Sequence, residues 1–304
     1  MTDEAALPAT GAVESTPKQE AADVVADLAD DTRAGAVPAE RMLIALDIDG
    51  TVLLEDDTLS PGVVEAVADA HIAGHEVMLA TGRSWDSTHG IMRRLGIRPE
   101  YAVCSNGAVI MRRVGADDAD EYELAHVETF DPTEVLTLLG EHLAGAHFLV
   151  ELADGTRLFT DYLDDWNLEG ANKVTFAELS DQPVCRVVVV APEQTDQDFL
   201  ELVERIGLTQ VSYAIGWTAW LDIAPQGVDK STALELVRGW LGIAPDRVLV
   251  MGDGRNDIEM MQWAVRNGGR AIAMHQGPPE VHAAAGEVGL SVTEGGVAAI
   301  LRSL

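Results

Sequence analysis

The chain is short of positive charge. Its 304 residues carry 20 Lys and Arg against 51 Asp and Glu, a net charge of −31. So acidic a surface repels phosphodiester backbones and anionic lipid, which argues against nucleic acid and membrane as partners. No apolar run reaches the length of a membrane span. The N-terminus has no basic start followed by an apolar stretch, so a secretory signal is not expected. Cysteine is scarce too. Cys104 and Cys185 are far apart in sequence and make no metal-ligand pair. Both sit in strand-like runs, so buried free thiols in a reducing cytoplasm are the expectation. No G-x-G-x-x-G follows the first strand-like run, which disfavours a dinucleotide-dependent enzyme. No repeat of solenoid length is present.

What is present is enough apolar residue, 47%, to bury a sizeable core and to build two folded units. Residues 1–40 stand apart. They carry nine acids against Lys18 and Arg33 and are rich in Ala and Thr with scattered Pro, a composition that reads as a disordered acidic tail. A short helix over Ala21–Ala29 is the alternative, since Val24, Val25 and Leu28 recur at helical spacing.

The most informative segment is Asp47-Ile48-Asp49-Gly50-Thr51, directly after the apolar run Met42–Leu46. A short apolar run ending in turn chemistry reads as a buried parallel strand. In open α/β sheets ligands bind at the carboxyl ends of such strands. Two carboxylates two residues apart point the same way on an extended backbone, and like charges so placed need a cation or a shared proton. The pattern suggests a metal site, an acid/base pair, or both; a solvated turn is the plain alternative.

Further strand ends follow. Val77–Ala80 runs into Thr81-Gly82-Arg83, where a hydroxyl can donate to a phosphoryl oxygen and Gly admits close backbone approach. The same text also suits an ordinary strand-to-helix turn with Thr81 or Ser84 as a cap. Gly227-Val228-Asp229-Lys230-Ser231 precedes a helical pattern at Ala233, Leu234, Val237 and Leu241. A Lys at a helix start opposes the macrodipole, so a nearby anion explains it better than helix stability does. Val248–Met251 runs into Gly252-Asp253-Gly254-Arg255-Asn256-Asp257, again carboxylates at a strand end.

Taken together, these segments resemble the haloacid dehalogenase-like hydrolase superfamily and, within it, the Cof-type phosphatases. The resemblance rests on DIDGT at 47–51, ATGR at 80–83, SNGA at 105–108, GVDK at 227–230 and GDGRNDIEM at 252–260, in family order over nearly all of 41–304. It implies an α/β fold: a Rossmann-like parallel sheet flanked by helices, with an inserted α+β cap. It implies a cytoplasmic, Mg²⁺-dependent phosphatase acting on a small phosphorylated metabolite through an aspartyl-phosphate. A phosphosugar mutase or phosphotransferase of the same superfamily is the alternative. A phospho-receiver is least compatible, since Lys230 lies too far along the chain from Asp47 for that compact domain. On the matching positions, Asp47 is the expected nucleophile and Asp49 the general acid and base. Thr81, Gly82, Lys230 and Asn256 are expected at the phosphoryl group. The Asp47 carboxylate, the Asp49 backbone carbonyl and Asp253 are the expected metal ligands, an all-oxygen set that suits Mg²⁺. Asp257 is expected to orient the metal shell or Lys230.

The expected division is a core of 41–113 and 214–304 and a cap of 114–213 that sets specificity. Helices are expected over Pro61–Gly74, with Ser60 as N-cap, over Trp85–Leu95, 132–144 and 195–206, and over Gly295–Leu301. Cap strands are expected near 121–129, 147–151, 156–160 and 185–191, with Asp154-Gly155 as a hairpin turn. Trp217–Ile223 is expected to return toward the core. Arg186 and Arg255 are candidate substrate contacts, each with a bland reading as a surface charge. Tyr213, Trp217 and Trp220 either line the cleft or fill the core. His275-Gln276 departs from the Gly-Asn usual in the family, which leaves the contacts of that loop open.

Overall fold

The computed structural model describes residues 41–116, 119–143, 145–162, 168–192, 211–215 and 220–304. The expected tail, the helix over 195–206 and Trp217 lie outside the described residues, as does the side chain of Tyr213.

The chain opens with β1 (Leu43–Leu46), α1 (Val63–Ile72), β2 (Glu76–Leu79), α2 (Trp85–Leu95) and β3 (Tyr101–Cys104). It continues through β4 (Val109–Val114), β5 (Glu121–Val127), α3 (Thr133–His142), β6 (His147–Leu152), β7 (Arg157–Phe159), β8 (Asn172–Lys173), β9 (Val184–Val190), β10 (Val211–Ile215) and β11 (Trp220–Pro225). It closes with α4 (Lys230–Trp240), β12 (Val248–Gly252), α5 (Ile258–Arg266), β13 (Arg270–Ala273), α6 (Pro279–Ala285), β14 (Gly286–Val288) and α7 (Gly296–Leu301).

Five strands form a parallel sheet in the order β14-β13-β12-β1-β2. The central strands β1 and β12 read as nearly unbroken apolar runs because both faces are covered. Ile44, Leu46, Val77, Leu79, Leu249 and Met251 pack with α1, α2 and α7 on one side. Leu43, Ala45, Met78, Val248 and Val250 pack with α4 and α5 on the other. The strand period of two sorts them. The expected parallel α/β core is therefore present.

The start of α1 differs from expectation. Pro61 does not open the helix and Ser60 does not cap it. Gly62, with φ 72°, is the N-cap, and the Ser60 hydroxyl donates to the Val292 carbonyl 2.7 Å away. A buried hydroxyl with a tertiary acceptor is not available for local capping, and sequence alone does not reveal that acceptor.

Between Tyr101 and Pro225 lie two further sheets. β3, β4 and β5 form an antiparallel meander, joined to the core by one bridge between Ala80 and Val103. A six-stranded sheet runs β10-β11-β9-β6-β7-β8. The turn at Asp154-Gly155 forms as expected, with Gly155 at φ 83°. One face of this sheet packs Phe148, Val150, Val187, Val189, Leu221 and Ile223 against Val135, Leu136 and Leu139 of α3. The opposite face carries Leu149, Phe159 and Val188 and, farther along the same strands, Glu151, Arg157, Arg186 and Asp222. A β-bulge between Glu151 and Leu152 leaves Cys185 as the extra residue of β9.

The strand expected over Trp217–Ile223 is β11, and it does not return to the core sheet. It pairs with β9 and β10 in the six-stranded sheet. The expected boundary at 213/214 falls inside β10, whose sheet also includes β11 up to Pro225. Apolar alternation marks a strand but not the sheet it joins. Cys104 and Cys185 are buried and free, and they share one small apolar cluster with Val109 and Ala224.

Candidate active site

The site lies at the carboxyl ends of β1, β2 and β12. Asp47 follows β1 directly and its N–H donates to the Met251 carbonyl of β12. The backbone then turns tightly. The N–H groups of Thr51, Val52 and Leu53 all reach the Ile48 carbonyl. Gly50 sits in this turn at φ 71°, and a Cβ there would stand 2.1 Å from Asp253 Oδ2. Only glycine fits both the dihedral and the contact.

The turn separates the two carboxylates. Asp47 is buried, while the Asp49 side chain is 61% exposed. Asp49 is held by Arg83, whose Nε and a terminal nitrogen reach its two oxygens at 2.9 and 2.5 Å. Arg83 also pairs with Asp57 at 3.1 Å. Burial works against the Arg83 charge, but Asp49 and Asp57 outweigh it and hold the guanidinium above its ordinary value.

Lys230 is the first helical residue of α4. Asp229 caps that helix, its carboxylate accepting from the N–H groups of Ser231 and Thr232. The ammonium reaches Asp47 Oδ1 at 2.6 Å and Asp257 Oδ1 at 2.7 Å, with no exposure. These are the anions that its place at a helix start calls for. Asp257 spends its other oxygen on the N–H groups of Asp253 and Gly254, at 3.0 and 2.9 Å. It thus orients Lys230 and pins the loop after β12.

Carboxylate oxygens of Asp47, Asp253 and Asp257 lie within 4.8 Å of one another. Three buried acids therefore face one buried lysine. Burial, with neighbouring acids, pushes the Asp47 carboxyl well above its ordinary range even though Lys230 pulls it down. Burial and Asp257 push Asp253 to about 7. A divalent cation bound by hard oxygens fits this donor set and its uncompensated charge.

The other expected residues are placed as follows. Thr81 is buried after β2; its N–H donates to the Val103 carbonyl and its hydroxyl accepts from the Arg83 N–H at 3.1 Å. Gly82 lies against the Asn106 amide, 3.2 Å from where a Cβ would stand. Asn256 donates to Asn106 Oδ1 at 3.0 Å. Arg255 pairs with Glu280 at 2.8 Å. Arg186 is not a surface arginine. It is 6% exposed and bound by Asp222 through two hydrogen bonds of 2.8 Å.

Gln276 and Asn106 were not expected at the site. Gln276 donates to the Gly50 carbonyl at 2.5 Å and to Asp253 Oδ2 at 3.3 Å, while its carbonyl accepts from the Val292 N–H. The available signal was the unusual His275-Gln276 pair. Asn106 falls within Ser105–Ala108, and nothing in that segment shows what its amide meets.

A family model described as haloacid dehalogenase-like hydrolase matches residues 44–301. The chain is 31% identical over 246 residues to a Metamycoplasma hominis protein of the upp 3′ region, covering 74% of this chain and 83% of that one. It is 26% identical over 271 residues to the 5-amino-6-(5-phospho-D-ribitylamino)uracil phosphatase YitU of Bacillus subtilis, covering 86% and 96%. A solved haloacid dehalogenase-like hydrolase from B. subtilis superposes with TM-score 0.71 at 20% identity, over 86% of this chain and 99% of the other.

Proposed function

Because the chain belongs to the haloacid dehalogenase-like hydrolases and is a phosphoric monoester hydrolase, we propose that it is a Mg²⁺-dependent phosphatase of small sugar or polyol phosphates that works through an aspartyl-phosphate on Asp47. The observation that supports this most is the buried contact of Asp47 with Lys230 beside Asp253 and Asp257. A phosphate dianion does not approach so many carboxylates unless positive charge balances them.

Asp47 attacks phosphorus as the ester bond to the leaving oxygen breaks. Lys230 shares its charge with the incoming phosphoryl oxygens, and the Thr81 hydroxyl, which accepts from Arg83, keeps its own proton to donate. Asp49 stands at the open side of the site, where a leaving group departs and water enters. It protonates the leaving oxygen, then accepts a proton from the water that attacks the aspartyl-phosphate, releasing inorganic phosphate. The turn at Gly50 sets the two acids in contrasting surroundings, Asp47 buried against the Lys230 charge and Asp49 exposed toward solvent. The Asp47 and Asp253 carboxylates and the Asp49 carbonyl would hold Mg²⁺, which would supply the positive charge that Lys230 alone does not. Asp257 acts through Lys230 and the loop after β12 rather than on substrate.

The insert chooses the substrate in this reading, with core and cap divided near the expected 114 and, at the far end, after β11. Its face toward the β3–β4 turn carries Glu151, Arg157, Arg186 and Asp222, two acids and two bases. Hydroxyl groups offer both donors and acceptors to such a face. YitU is named for a phosphate on a ribityl chain, which supports the polyol reading. A phosphate-release screen over sugar, polyol, nucleotide and pyridoxal phosphates, with and without Mg²⁺, tests it. Preference for pyridoxal phosphate or a nucleotide would overturn the polyol assignment.

A further inference from the structure

Three consecutive residues between β3 and β4 adopt the left-handed region: Ser105 at φ 50°, Asn106 at 51° and Gly107 at 101°. Non-glycine residues rarely do so, and Asn tolerates it best. The conformation is fixed from all sides. The N–H groups of Ser105 and Asn106 donate to the Arg83 and Thr81 carbonyls, each at 3.0 Å. A Cβ on Gly107 would stand 2.2 Å from the carbonyl of Asp229, the cap of the helix that carries Lys230.

The Asn106 side chain is 8% exposed and uses both ends of its amide. Its carbonyl accepts from Asn256 of the core loop at 3.0 Å. Its NH₂ donates to Asp222 Oδ2 at 2.8 Å, on the same carboxylate that grips Arg186. Next to it, the Ser105 hydroxyl donates to Glu151 Oε2 at 3.1 Å. One short turn thus touches the phosphoryl-binding strand end, the loop after β12, the start of α4 and the charged face of the cap sheet.

We propose that Asn106 is a positioning residue that ties the Arg186–Asp222 pair of the cap to Asn256 and the Thr81–Gly82 turn, so that seating the cap and forming the phosphoryl site are one event. This deepens the phosphatase reading and rests on it. A buried amide has one donor end and one acceptor end, so it registers two partners of opposite need. If Asp222 shifts, Asn106 must lose a buried hydrogen bond or move with it, and movement displaces Asn256 and the backbone beside Thr81.

The test is a reciprocal exchange. Asn106→Asp keeps the acceptor toward Asn256, keeps a side chain that tolerates positive φ, and sets a carboxylate against Asp222. Asp222→Asn removes the acceptor from the other side. In Asn106→Asp combined with Asp222→Asn an amide again faces a carboxylate across the pair, but that amide now meets the Arg186 nitrogen that shared Asp222 Oδ2 with Asn106, so the two changes act on one network rather than independently. The readout is competitive inhibition by inorganic phosphate in p-nitrophenyl phosphate hydrolysis, a probe that reaches the core site without needing the cap, with melting temperature followed alongside. Each single variant should raise the inhibition constant roughly tenfold, and the double variant should raise it no further than the worse single one, as groups in one network do. An unchanged constant in Asn106→Asp, or a double variant whose constant rises by the product of the two single effects, would overturn the coupling. Failure of wild type to hydrolyse p-nitrophenyl phosphate would instead overturn the phosphatase reading.

Discussion

Among the described residues, the buried charges at the strand ends and those on the cap sheet are built on opposite plans. At the strand ends, Asp47, Asp253 and Asp257 face Lys230 alone. On the cap face, Glu151 and Asp222 face Arg157 and Arg186. The first is unbalanced and the second is balanced. A balanced buried set can satisfy itself, and here it does: Arg186 is bidentate to Asp222 and Glu151 takes Ser105. An unbalanced set keeps a standing need for positive charge. In the proposed reading the first cluster receives an ionic guest and the second faces the neutral polar part of the substrate.

Substitutions sharpen that contrast. The largest effect is expected for Asp47→Asn, which removes the nucleophile and should cost on the order of 10⁴-fold or more in kcat; phosphate release well above that level would mean another group attacks. Asp49→Asn should lose about 10²–10⁴-fold while still binding Mg²⁺, because its backbone carbonyl survives. Near-wild-type turnover would remove Asp49 from proton transfer. Gln276→Ala releases Asp253 and the Gly50 turn without touching the charge count. The Mg²⁺ concentration for half-maximal rate should rise about 10–100-fold, as for groups that orient ligands; an unshifted Mg²⁺ titration would limit Gln276 to packing.

The balanced cluster should answer differently. Arg186→Ala should raise KM for a polyol phosphate more than for p-nitrophenyl phosphate. It should also lower stability, since Asp222 loses its buried partner. Equal KM changes for both substrates would take Arg186 out of recognition. The smallest effect belongs to residues 1–40, whose composition gives little apolar surface to bury. A chain starting at Arg41 should keep its kinetic constants and its melting temperature, and a drop of several degrees would contradict this.

Titration probes the strand-end cluster as well. Burial raises Asp253 from 3.8 to about 7 and Asp47 in the same direction. The folded, metal-free protein therefore binds protons that the unfolded chain releases. The stability this contributes is fully present below pH ~4 and lost as pH rises through about 7. Mg²⁺ should accordingly raise the melting temperature far more at pH 8 than at pH 5. An equal rise at both would mean that these carboxyls are not what the ion offsets.

The core was legible because its strands are buried on both faces and end in residues with few uses there. Met42–Leu46 before Asp47 and Val248–Met251 before Asp253 mark both strand and site without any tertiary knowledge. Lys230 was legible through its misfit with the helix dipole. The cap was legible as strands and turns, Asp154-Gly155 above all, but not as a sheet. Nothing in Trp220–Pro225 says that it pairs with β9 rather than returning to the core. Ser60 misled for a related reason: its true acceptor, Val292, is 232 residues away. Asn106, Arg83 and Gln276 likewise owe their roles to partners distant in sequence, which local pattern does not reach.

The central claim is that the strand-end cluster is completed by a divalent cation before phosphate can be turned over. It is tested most directly by following p-nitrophenyl phosphate hydrolysis through chelation with excess EDTA and back through Mg²⁺ addition. Activity should fall to background and return in a saturable manner with Mg²⁺. Full activity in excess EDTA would contradict it.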